Sequence, residues 1–130
     1  MTESTNDKIV ELKVPINVTT IAKEVYQNFP EAGMCLSCIN WRYGDTPGKP
    51  FMFVFEDLED EDDEGNSKLY KVDLEMAEKG IQILMEKILA KDYHFDGIDG
   101  LEDLLELGNW DAWVVDAAAQ CAIFGEVIYG

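Results

Sequence analysis

From Asp92 to its end at Gly130 this chain has no lysine and no arginine, although nine acids fall in the same stretch. A surface built from that third cannot hold nucleic-acid phosphates or an anionic membrane, both of which need clustered basic side chains. Cysteine is sparse as well: three in 130 residues, an odd number, which argues against a secreted disulfide scaffold. No apolar run approaches the ~18 residues that span a bilayer. The opening "MTESTNDK" is polar and mildly acidic, unlike a signal peptide or an Arg-rich transit peptide. The expectation is therefore a soluble cytoplasmic protein. There is a single histidine, His94, no Gly-x-Ser-x-Gly elbow and no phosphate-cradling glycine loop, so nothing marks nucleophilic or phosphoryl chemistry.

What is present is a packable core and a large excess of acid. Apolar residues make up 47% of the chain and aromatics 11%, enough for one domain of this length to bury roughly two-thirds of its unfolded surface. Residues 1–7 read as a polar tail and residues 8–130 as that single domain. The formal net charge is −17, and it is lopsided. Residues 1–55 hold 6 acids and 5 bases, residues 56–91 hold 12 and 5, and the remainder holds 9 acids alone. Eight of the acids sit within the nine residues Glu56 to Glu64.

Hydrophobic periodicity predicts β-α-β-β-β-α-α-α, an α+β domain on a mostly antiparallel four-stranded sheet packed with C-terminal helices. Lys8 to Val14 alternates as a half-buried strand and Pro15 ends it. Asn17 is placed to cap a helix with Val18, Ile21, Ala22, Val25 and Phe29 on one face. Cys35 to Tyr43 and Phe51 to Asp57 read as strands. In the second, both faces (Phe51, Phe53, Phe55 and Met52, Val54) are apolar, so it is expected to be central and covered on both sides. The acidic run connects it to a strand from Ser67 to Asp73. Helices are expected over Leu74 to Lys91, where Gly80 permits close packing against the sheet, over Asp99 to Leu107 and over Trp110 to Phe124. The ending "GEVIYG" suits a short strand or a packed tail.

Each chemical signal has a plain structural counterpart. Asp60, Asp62, Glu64 and Gly65 imitate the start of a calcium loop, but Lys68 and Lys71 stand where later oxygen ligands belong. In "DYHFDGIDGLED" a second imitation fails at His94 and Asp99. Cys35-x-x-Cys38 lies in a strand, whose period sends the two thiols to opposite faces, so free buried thiols are expected rather than a zinc or redox pair. Trp41, Trp110 and Trp113 lie among acids and read as core rather than base-stacking platforms. No metal, cofactor or catalytic residue is expected.

The charge itself is the remaining functional signal. Asp99, Glu102, Asp103 and Glu106 would share a helix face with neighbours ~5–6 Å apart, comparable to the phosphate spacing of nucleic acid. Together with Asp96 and with Glu56, Asp57, Glu59, Asp60, Glu61, Asp62, Asp63 and Glu64, they form the candidate surface for a basic partner. The closing "CAIFGEVIYG" and the preceding "KGIQILMEK" resemble the corresponding parts of small bacteriophage-encoded proteins of unknown function. Small acidic phage proteins include inhibitors of host restriction and CRISPR systems. The resemblance thus implies a non-enzymatic, DNA-mimic-like inhibitor acting in the host bacterial cytoplasm. Its partner would be a basic nucleic-acid-binding host protein, without direct contact to nucleic acid or membrane, and a homodimer is compatible with it. A virion structural or assembly protein, or another protein-interaction module, is the first alternative. A small carboxylate-dependent enzyme is the second, since any two acids could converge in a cleft.

Overall fold

Alternating phenylalanines organise the molecule. In a computed structural model, which describes residues 16–27 and 35–129, Phe51, Phe53 and Phe55 all point to one side and are buried. Tyr26 closes over them with ring centroids 5.5, 5.0 and 6.3 Å away. Tilted and edge-on ring pairs of this kind add to the roughly 1.5–3 kcal/mol that each buried phenylalanine contributes.

The element order is α1 (Val18–Tyr26), β1 (Leu36–Arg42), β2 (Met52–Glu61), β3 (Ser67–Asp73), α2 (Leu74–Leu89), α3 (Leu101–Leu105), a 3-10 turn (Leu107–Asn109) and α4 (Ala112–Phe124). Asn17, Asp73 and Asp111 cap α1, α2 and α4, each accepting a bond from a backbone N–H of the first turn. The fold is α+β, but among the described residues the sheet has three antiparallel strands in the order β1-β2-β3, not the four expected. The strand expected over Lys8 to Val14 lies outside the described residues. The C-terminal segment also adds no strand: Gln120 accepts from the amides of Ile128 and Tyr129 and holds it as a packed tail.

Strand β2 is central, as its composition suggests, yet among the described residues it is covered on one face only. Met52 and Val54 on its other face are half-buried, and their neighbours Arg42, Leu69 and Lys71 are exposed. The helices gather on the phenylalanine side. Helix α4 is buried all round from Val114 to Cys121 and lies against α2. Gly80 makes that crossing close: a Cβ there would fall 2.6 Å from the Ala122 nitrogen and 2.8 Å from the Ala118 oxygen. Its close approach is therefore to α4, not to the sheet.

Two expected helices are trimmed. The helix predicted from Asp99 to Leu107 contains only Leu101–Leu105. The reason is competition for its carbonyls. The Trp110 indole donates to the Leu104 oxygen and the Asn109 amide donates to the Asp103 oxygen, both at 2.9 Å. Those oxygens would otherwise accept from the next helical turn. Helix α4 starts at Ala112, which leaves Trp110 before the helix, buried, and turns Trp113 outward at 58% exposure.

Candidate functional site

The acidic run is built into a hairpin. Pairing of β2 with β3 holds from Met52 to Glu56 and resumes at Glu61 opposite Ser67, so residues 57–60 bulge against Lys68 alone. The bulge keeps Asp57 on the inner face, where it is fully buried and accepts from the Glu59 amide at 2.9 Å and the Tyr129 hydroxyl at 2.9 Å. Asp57 anchors the hairpin and offers no surface to a partner. Asp60 pairs with Lys68 at 2.9 Å, which holds its carboxyl below the usual range. A lysine thus stands beside the carboxylates that imitate a calcium loop. Asp62 shapes the tip: its carboxylate accepts from the Glu64 and Asn66 amides, and its own amide donates to the Asn66 oxygen at 2.7 Å. Gly65, at φ +83, supplies the left-handed position the turn needs.

Once those three are assigned, Glu59, Glu61, Asp63 and Glu64 remain exposed and Glu56 half-exposed. Among the described residues, the Asp60–Lys68 bridge is the one ion pair within the run. The run therefore displays carboxylates from the end of β2 and from an ordered turn, with one lysine paired to them.

The second predicted cluster is more broken than expected. Only Glu102 and Asp103 lie inside α3; Asp99 precedes it and Glu106 follows it in an extended conformation. Asp103 turns back to accept from the Asp99 amide at 2.8 Å. A four-acid helical ladder is thus replaced by a single short turn with Glu102 and Glu106 exposed. Asp96 is exposed at the tip of the tight Phe95–Ile98 turn, its carboxylate 3.7 Å from the His94 ring.

Cysteine placement answers the CxxC question. Cys35 and Cys38 are half-buried and Cys121 is buried, all three as free thiols. Burial pushes the Cys38 and Cys121 thiols up to about 11, with a bond to the Asn40 backbone opposing it at Cys38 and the Lys87 charge opposing it at Cys121. Cys35 and His94 both line one cavity. Among the described residues, no group of three or more His, Cys, Asp or Glu is arranged to hold a metal ion. Nor is any helix there long and apolar enough to cross a membrane.

Two features escaped the residue pattern. Asp116 and Gln120, polar positions four apart in an otherwise apolar helix, form a buried network with the C-terminal tail. Their spacing was a visible signal; the identity of their partners was not. Trp41 and Trp113, expected in the core, are 41% and 58% exposed. No protein-family model matches the chain, and no curated protein or solved structure matches it either.

Proposed function

We propose that this chain is a non-enzymatic acidic binding protein whose carboxylate-bearing hairpin occupies the basic surface of a nucleic-acid-binding protein. The observation that carries this reading is the ordered tip: Asp62 fixes the turn while Glu59, Glu61, Asp63 and Glu64 stay exposed. A preset array of like charges loses little conformational freedom on binding, and its field steers a basic partner toward it. Carboxylates presented this way compete with phosphates for the same lysines and arginines. The phage resemblance extends the proposal to a host-defence protein of a bacterium, on analogy alone.

The test is capture from a bacterial lysate through a salt series, comparing the native chain with a variant carrying Glu59→Gln, Glu61→Gln, Asp63→Asn and Glu64→Gln. Asp57, Asp60 and Asp62 are spared because they build the hairpin. Nucleic-acid-binding proteins should be retained at low salt, released by ~0.5 M salt as screening shortens the field, and lost with the variant. Equal retention by the folded variant defeats the proposal. The half-covered outer face of β2, with Met52, Val54 and exposed Leu69, is the one observation favouring the assembly alternative. That reading requires self-association that survives high salt.

A further inference from the structure

A cavity of about 280 Å3 opens between the turn after α2, the first half of α4 and the C-terminal tail. It lies just below the ~300–1,000 Å3 usual for small-molecule sites, so it suits a head group rather than a nucleotide. Aromatic rings of Tyr93, Trp113 and Tyr129 line it, and so do the carboxylates of Asp92 and Asp116. Among the described residues, no lysine or arginine does. Lys87 stands 3.8 Å from the Asp92 carboxylate, with both side chains about half-exposed, so the pair is loose.

The walls are held in place. Tyr93 accepts from the Val127 amide at 3.0 Å, tying the turn to the tail. Asp116 accepts from the Leu36 amide at 3.1 Å and from the Gln120 side chain at 2.7 Å. It also takes a backbone bond from Cys35, which leaves about one of its roughly four lone-pair positions toward the cavity. The field inside is negative. The Cys35 thiol is pushed up by burial and then by the charges of Asp116, Glu59 and Asp57. A thiol so disfavoured as thiolate is a poor nucleophile, so Cys35 and His94 do not make a hydrolase pair here. Anions are repelled for the same reason. Ring faces beside carboxylates in a small recess favour organic cations, and a planar guanidinium can stack and hydrogen-bond at once.

We propose that this cavity receives a single guanidinium or ammonium head group, with Trp113 and Tyr93 as ring walls and Asp92 and Asp116 as counter-charges, and that its occupant is an arginine side chain of the basic partner. The source of that arginine rests on the binding function proposed above; the cation chemistry rests on the cavity alone.

The test is a heteronuclear NMR titration with N-acetyl-arginine-N-methylamide, using the neutral citrulline counterpart as control. The Trp113 indole N–H and the Tyr93 and Val127 amides should shift saturably, with affinity on the order of millimolar as a single contact would give. Trp113→Ala, at an exposed position, should weaken binding about two- to fivefold, and Asp92→Asn should weaken it further. Absence of saturable shifts at these positions, equal shifts with citrulline, or unchanged affinity in Trp113→Ala overturns the site. Tighter binding of tetramethylammonium than of the arginine derivative overturns the assigned occupant. Arginine binding that persists while the hairpin variant captures partners normally would defeat the hairpin reading and leave this one standing.

Discussion

Gln120 uses its whole amide. Its nitrogen donates to Asp116 at 2.7 Å and to the Tyr129 carbonyl at 3.3 Å, and its oxygen accepts from the amides of Ile128 and Tyr129, each at 2.8 Å. One side chain thereby fixes the C-terminal tail and steadies a buried carboxylate, and through the tail it positions the Tyr129 hydroxyl on Asp57. Burial of such groups is costly unless each is paired, so removing the amide strands its partners. Gln120→Leu should lower stability by about 1–3 kcal/mol. It should also speed hydrogen exchange at Ile128 and Tyr129 before the rest of the molecule opens. Exchange at those two amides matching the native chain would show that the tail is held some other way. Residue identity alone marked Asp116 and Gln120 as out of place in an apolar helix. Their bonds to Leu36 and to residues 128–129 depend on chain segments that meet only in the fold.

The elements show where sequence pattern suffices. Period-two alternation in Phe51 to Asp57 located the central strand because burial of three phenylalanines on one face leaves few other ways to pack it. The same pattern overstated coverage of the opposite face, since Met52 and Val54 are tolerated half-exposed. The acid-rich helix after Asp99 was shortened by Trp110 and Asn109, whose bonds to Leu104 and Asp103 lie outside any helical periodicity. Gly80 carried a correct signal for close packing, but its partner was α4, a choice that depends on tertiary arrangement. Alanine is ordinarily favoured over glycine inside a helix by about 1 kcal/mol. Here its methyl would press on the backbone of Ala118 and Ala122, which cannot swing aside as a side chain could. Gly80→Ala should therefore destabilise by about 1–3 kcal/mol, read as a lower urea midpoint at unchanged slope. A raised midpoint would mean that α2 and α4 can separate without penalty.

At the scale of the whole molecule, −17 net charge is carried by 130 residues, and self-repulsion works against the compact state. Raising salt shortens the screening length from ~30 Å at 0.01 M to ~3 Å at 1 M, so the urea midpoint should rise with salt. Asp116 adds a pH dependence that salt does not remove. Its pKa is raised from 3.8, chiefly by burial, so the folded state binds a proton at higher pH than the unfolded chain does. Its contribution is greatest below 3.8 and is lost as pH rises through the folded value; lowering pH from neutrality toward that interval stabilises the fold. Asp60 runs the other way. Its pKa is lowered by Lys68, so its exposed and therefore small contribution is present above 3.8 and fades as pH falls through the folded value. Urea midpoints measured in 1 M salt should consequently climb as pH falls from neutrality toward 3.8, after the general repulsion has been screened. Asp116→Asn, which cannot take up that proton, should be less stable at neutral pH because one of its accepted bonds is lost, and its acid-side climb should flatten. A native midpoint that stays level or drops all the way from neutrality to pH 3.8 in high salt would place the Asp116 carboxylate in contact with more water or more positive charge than the network around Leu36 and Gln120 provides.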